Sequence, residues 1–295
     1  MESKVIRLAL AAIFIATGFF VFAQEANAAK KKSFRAVKTW NQGYKENWAL
    51  DRINQVHWRL DGSVLPTQGA GEGITIYVID TGVGSDDCNG HGTVVASIAA
   101  GSEYGVAPSS DVVSVKALDC DGAGTAQDVI AAVEWVSENA NPDSSVVNMS
   151  LGGPLRPSVD TAVAELSAIM PVVVAAGNES SNACNRSPAG VPEAITVAGY
   201  DRNNLRAIFS NYGSCVDIWA PGSAIDGIDK GGARVQWSGT SMSTALVSGA
   251  IAFIASKNNM TTKEAADLIM QQAARPYLID ARLNGKSAYS LLLGD

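Results

Sequence analysis

Five short stretches of this chain read as strands that are apolar on both faces: 74–79, 112–118, 145–149, 172–176 and 195–198. A run of Val and Ile without polar alternation has no side to show to water, so it belongs in a parallel sheet covered on two faces. The intervals between the runs carry helical periodicity. Val129, Ala132, Val133 and Val136 form one i, i+3, i+4, i+7 stripe, and Val159, Ala162, Val163 and Leu166 form a second. Strands alternating with helices predict an α/β fold: a doubly wound, mainly parallel sheet with helices on both faces. Thr261-Thr262-Lys263-Glu264 has the pattern of a capping box and opens a last helix over 263–274.

One helix differs from the others. After Trp237-Ser238-Gly239, the chain from Thr240 to Ala255 is apolar or small on every side. A helix with no polar stripe is buried, so its N-terminus opens inside the protein with unpaired N–H groups and the positive end of the dipole. The plain reading of Thr240 or Ser241 there is a helix cap. The chemical reading is a nucleophile, Ser241, whose developing charge meets those donors.

In such sheets function gathers at the carboxyl ends of the strands. Strand 74–79 runs into Asp80-Thr81-Gly82, and a carboxylate leaving a buried strand is costly unless something pairs with it. Eleven residues later comes Asn89-Gly90-His91-Gly92-Thr93, which opens an apolar helical stretch over 94–100. The chain has 2 histidines, and the other, His57, lies in a polar segment ahead of the fold. Strand 172–176 ends in Gly177-Asn178. Together these residues supply the parts of acyl transfer: Ser241 attacks, His91 takes and returns the proton, and Asp80 fixes the His91 tautomer. The Asn178 amide and the Ser241 N–H would bind the oxyanion. Taken singly, each has an ordinary turn or cap reading. All four at element ends of one sheet, in the order Asp, His, Ser, form a far more specific pattern.

Residues 1–28 read as a secretory signal peptide: Lys4 and Arg7, an apolar run over 8–23, then Ala26-Asn27-Ala28 as a cleavage site. A short basic N-terminal tail over 29–47 follows, too short and polar for a folded propeptide, and a single domain over 48–295. The net charge is −7; the charges of 1–28 cancel and 29–44 hold five basic and no acidic residues, which leaves −12 for 45–295. An acidic body of this kind argues against a nucleic-acid partner. In an exported chain Cys88, Cys120, Cys184 and Cys215 are expected in disulfides, but spacing does not choose among the three pairings. A zinc site is disfavoured because no Cys-x-x-Cys pair is present.

Val78-Ile79-Asp80-Thr81-Gly82, Asn89-Gly90-His91-Gly92-Thr93 and Ser238-Gly239-Thr240-Ser241-Met242 resemble the three signatures of the subtilase family of serine proteases. Tyr104-Gly105-Val106-Ala107-Pro108, Asn148-Met149-Ser150-Leu151-Gly152-Gly153 and Phe209-Ser210-Asn211-Tyr212-Gly213 extend the likeness over about 48–274. The contexts of the four cysteines are similar to the proteinase K branch, and within it to aqualysin-type enzymes. This resemblance implies a subtilisin-like fold with the nucleophile on a buried central helix. It implies a secreted endopeptidase working through an acyl-enzyme, with broad specificity and a preference for apolar or aromatic residues before the cut. It pairs Cys88 with Cys120 and Cys184 with Cys215. It lays a substrate strand along Asp121, Gly122 and Ala123 and along Ser150, Leu151 and Gly152, above a pocket walled by Ala175, Ala176 and Gly177. It also implies structural calcium held by the carbonyls of Pro192 and Ala194 and the carboxylate of Asp217. The expected partners are polypeptide substrates met by a monomer, with no membrane association after signal removal. The alternatives are a catalytically silent homologue serving as a binding module and a secreted esterase with an open pocket.

Four departures from the family pattern stand out. The Asp80–His91 interval is short, Ser243-Thr244-Ala245-Leu246 stands where Ala-Thr-Pro-His is usual, Val94 replaces a common histidine, and no propeptide of the usual kind is evident. The missing helix-interior proline predicts a straighter buried helix.

Overall fold

The computed structural model describes residues 33–34, 47–55, 59–64, 68–273 and 290–293; the expected signal peptide and His57 lie outside them. Among the described residues the main sheet has seven strands in the order β1-β3-β2-β4-β6-β8-β9. These are β1 (Ser33–Phe34), β2 (Thr75–Asp80), β3 (Asp111–Lys116), β4 (Ser145–Met149), β6 (Val172–Ala175), β8 (Ile195–Tyr200) and β9 (Ile218–Pro221). From β3 to β9 every pairing is parallel. Two small antiparallel pairs join β5 (Gly153–Pro154) to β7 (Arg186–Ser187) and β10 (Ile225–Ile228) to β11 (Arg234–Trp237).

The strands alternate between two cores, as a period of two requires. Ile76 and Val78 of β2 face a core shared with helices α1 (Trp48–Ile53), α2 (His91–Ala100), α5 (Thr240–Asn258) and α6 (Thr262–Gln272). Tyr77 and Ile79 face the other, built with α3 (Ala126–Asn139) and α4 (Pro157–Ile169). Both expected stripes are the buried faces of α3 and α4, except that Ala162 is only partly buried. Each large aliphatic side chain buried this way contributes about 1.5–3 kcal/mol.

Helix α5 is buried from Thr240 to Ala255, and its polar groups are bonded inside the protein. Ser243 Oγ donates to the Pro221 carbonyl (3.0 Å), Ser248 Oγ to Asn148 Oδ1 (3.0 Å) and Thr244 Oγ1 back to the Thr240 carbonyl (2.8 Å). The helix runs unbroken for 19 residues through the position where the family's proline is usual. It crosses α2 at Gly249, where a Cβ would come within 2.6 Å of the Ala99 carbonyl, so no side chain fits. The expected capping box is present on α6, with Thr261 and Glu264 exchanging bonds.

One pairing falls within the segment 29–47: Ser33–Phe34 pair antiparallel with Val112 and Val113 of β3. An edge strand takes any partner that offers backbone groups, which a two-residue segment does without leaving a sequence pattern. Strand β9 and the β10–β11 hairpin were also not anticipated. At the far end of the chain, the Leu291 N–H donates to the Trp219 carbonyl and closes the outer edge of β9.

Candidate active site

Asp80 is the last residue of β2 and is fully buried. Its Oδ1 accepts from the Thr81 N–H (2.7 Å) and lies 2.7 Å from Nδ1 of His91. His91 is the first residue of α2 and shows 22% of its side chain to solvent. Its ring packs against Trp237 at the end of β11, with 5.7 Å between centroids. Burial opposes the charged imidazole, but the hydrogen bond and charge of Asp80, joined by the charge of Asp87, raise His91 above its ordinary value. The approach of α2 to β2 depends on Gly92, where a Cβ would sit 2.1 Å from the Gly82 carbonyl.

Ser241 is the second residue of α5. Its Oγ donates to the Ser150 carbonyl at 3.2 Å and makes no hydrogen bond to His91. Contacts between a nucleophile and its base are often long without substrate and tighten only when it is bound. Asn178 follows β6, and its Oδ1 accepts from the Thr240 N–H (2.9 Å) and the Thr240 hydroxyl (3.0 Å). That grip leaves the Asn178 NH₂ unbonded among the described residues. The Ser241 N–H is likewise without a partner there, so two donors stand at the N-terminus of a buried helix.

The residues expected to bind substrate fall on one open cleft of about 940 Å³ and a pocket of about 100 Å³ that share Ser150, Leu151 and Gly152. Asp121, Gly122 and Ala123 form the far rim of the cleft, and His91 and Trp237 also line it. Their own N–H groups are spent within the loop, on Asp119 Oδ1 and the Asp119 carbonyl. Leu151 and Gly152, in contrast, make no turn or loop hydrogen bond. Ala175, Ala176 and Gly177 line the pocket together with Glu179 and Arg186. Glu179 Oε2 accepts from Asn211 Nδ2 (2.7 Å) and lies 3.6 Å from Arg186 Nε. The pocket therefore has small apolar walls and one charged side, which the sequence reading missed.

The two disulfides are Cys88–Cys120 and Cys184–Cys215. The first ties the Asp80–His91 loop to the loop of Asp121. Closing its 32-residue separation is worth roughly 3–4 kcal/mol on the chain-entropy model. Replacing Cys88 and Cys120 by alanine should lower the free energy of unfolding by that amount, and an unchanged free energy would remove the disulfide from the account of stability.

Asp217 precedes β9, takes the Thr196 N–H on Oδ2 (2.8 Å) and pairs with no cation among the described residues. Burial pushes its carboxyl up to about 6 from 3.8. It is bonded to β8 at Thr196, two residues beyond Ala194. A partly buried carboxylate without a cationic partner among the described residues is a hard oxygen donor of the kind calcium takes.

The Subtilase family model, Peptidase S8, matches residues 76–289. The chain belongs to the subtilase family. This subtilase is 39% identical over 273 residues to the alkaline serine exoprotease A of Vibrio alginolyticus, covering 84% of this chain and 51% of that protein. It is 42% identical over 230 residues to the extracellular serine proteinase of Thermus sp. strain Rt41A, covering 70% and 56%. The crystal structure of a cold adapted subtilisin-like serine proteinase superposes with a TM-score of 0.79 at 39% identity, over 84% of this chain and 98% of that one. The chain thus spans about half the length of the first two relatives. The subtilisin-like fold expected from the sequence is the fold observed.

Proposed function

We propose that this subtilase is a secreted serine endopeptidase in which Asp80, His91 and Ser241 form the triad. Support comes from one arrangement above all: a buried Asp80 bonded to His91 faces a crevice where Ser241 starts a buried helix beside the Asn178 amide. Ser241 Oγ attacks the peptide carbonyl as His91 takes its proton, and Asp80 stabilises the imidazolium. The Asn178 NH₂ and the Ser241 N–H receive the oxyanion. His91 then protonates the leaving amine, an acyl-enzyme remains, and water activated by His91 releases it. The unspent backbone of Leu151 and Gly152 takes the substrate as an added strand, which favours peptides over simple esters. Exposure of purified protein to a sulfonyl fluoride should abolish casein and peptide-anilide hydrolysis and add the reagent's mass to the peptide containing Ser241. Hydrolysis that survives complete labelling would overturn the reading.

Side chains before the cut enter the pocket of Ala175, Ala176 and Gly177, whose walls favour apolar residues. Export is proposed on the leader at 1–28, with processing ahead of Ser33 because Ser33–Phe34 belong to the sheet.

Calcium is proposed at Pro192, Ala194 and Asp217, where it would neutralise the carboxylate and tie the turn to β9. The pH dependence has a definite sign. A carboxyl whose folded value lies above its unfolded one favours the folded state at low pH, and loses that advantage as pH rises through about 6. In EDTA, wild-type stability should therefore fall by about 2 kcal/mol between pH 4 and 7 relative to Asp217→Asn, allowing for the group's partial exposure. Millimolar calcium at pH 8 should restore the wild type and leave Asp217→Asn unmoved. Melting curves insensitive to both calcium and EDTA would exclude the site.

A further inference from the structure

The short Asp80–His91 loop contains a second buried carboxylate that the proposed chemistry does not use. Asp87 is 3% exposed and does not line the cleft. It nevertheless accepts five hydrogen bonds. Oδ1 takes the Thr81 hydroxyl (2.9 Å) and the N–H groups of Asn89 (3.1 Å) and Gly90 (2.7 Å). Oδ2 takes the Thr93 N–H (2.9 Å) and hydroxyl (2.7 Å). Thr81 Oγ1 in turn accepts the Gly92 N–H at 2.9 Å.

Helix α2 begins at His91 behind Gly90, a residue with no side chain to cap it. Its first N–H groups are orphans unless something outside the helix accepts them. Asp87 does so directly at Thr93 and, through Thr81 Oγ1, at Gly92. The same carboxylate thus grips the start of the helix that carries His91 and the residue next to Asp80.

We propose that Asp87 is a positioning residue for His91, its carboxylate locking the N-terminus of α2 against the end of β2 so that the imidazole is held on Asp80. This rests on the reading of His91 as the catalytic base.

Asp80 from β2 and Asp87 from the loop act on the imidazole, Asp121 of the facing loop lines the same cleft, and the same loops also carry Asp86 and Asp119. Lys116 from β3 reaches the Thr81 carbonyl, and Lys230 from the β10–β11 turn reaches the Cys88 carbonyl. Asp226 and Arg234 of the hairpin are paired with each other. Only Asp80 and Asp87 favour the imidazolium by charge, and burial opposes it. Removing the Asp87 charge therefore lowers the pH at which His91 becomes a free base.

The test is kcat and KM against pH for Asp87→Asn and Thr93→Val, with an NMR titration of His91 in a Ser241→Ala background. Asp87→Asn should lose about tenfold in kcat with KM within twofold, a loss of placement rather than of binding. Its acid limb and the His91 titration should both move down by about half a pH unit. Thr93→Val keeps the charge and the Thr93 N–H bond to Asp87 but loses the hydroxyl's bonds to Asp87 and from the Gly84 N–H, so kcat should fall less and the acid limb stay in place. If Asp87→Asn does not fold, a fall in kcat at constant KM in Thr93→Val still supports the proposal, and unchanged kcat overturns it. Wild-type kcat and an unmoved His91 titration in Asp87→Asn would overturn it as well. Failure of the protease reading separates cleanly: the wild type would then show no hydrolysis, while the NMR titration would still report on Asp87.

Discussion

Ser241→Ala is expected to lower peptide-anilide turnover on the order of a million-fold, the scale known for subtilisin itself rather than one calculated from this site. The loss is large because the oxygen that forms the acyl bond is gone, and no neighbouring hydroxyl stands where it does. Thr240 is committed to Asn178, and Ser243 donates to the Ala220 and Pro221 carbonyls on the far side of the helix. The fold should be indifferent to the change. Ser241 Oγ makes a single long bond to Ser150, so the melting temperature should move little while turnover vanishes. His91→Ala should cost about as much, and the double variant hardly more, since base and nucleophile act as one unit. Turnover that persists in Ser241→Ala, with contamination excluded by active-site labelling, would end the assignment.

Asn178→Ala is expected to cost roughly 2.7–4 kcal/mol in the barrier, or about 10²–10³ in kcat, with KM little changed; this magnitude too is carried over from subtilisin. The geometry adds a complication that the choice of variants resolves. Asn178 Oδ1 also caps Thr240, so alanine removes an N-terminal cap of α5 together with the oxyanion donor. Loss of such a cap typically costs about 1 kcal/mol of stability. Asn178→Asp keeps an acceptor for Thr240 and removes only the NH₂ donor, placing a negative charge where the oxyanion would form. It should hold more of the stability than alanine and be at least as inactive. An Asn178→Asp enzyme with near-normal kcat would mean that the oxyanion is stabilised elsewhere.

The sheet and the buried helix were legible because their signals are local and one-dimensional. Both-face apolar runs such as Val172–Ala175 admit few arrangements, and a helix without a polar stripe admits one. Asp80, His91 and Asn178 were legible because polar residues at the ends of apolar elements stand out. What holds them in place was not. Thr240 as the clamp on Asn178, Asp87 as the clamp on α2 and Trp237 against the imidazole are contacts between segments far apart in the chain or hidden in a turn. Arg186 reaches Glu179 only because the chain folds back between β6 and β8. Strand β9 was missed because Ile218-Trp219-Ala220-Pro221 is short and ends in proline, which weakens any strand signal. The β1 pairing left no trace, since two residues carry no periodicity.

The short loop between Asp80 and His91 has one more consequence. If the protein is the secreted endopeptidase proposed above, it works among copies of itself, and the copies most at risk are those with a slack surface segment long enough to enter a cleft. Such segments are where proteolytic nicking concentrates. Here the stretch beside the crevice is only ten residues, bridged by Cys88–Cys120, threaded by the bonds of Asp87 and overlaid by Lys116 and Lys230. On the proposed reading, another copy can cut there only after this loop opens, which costs the loop the bonds just named. On that reading, the economy of the loop also guards it against self-digestion.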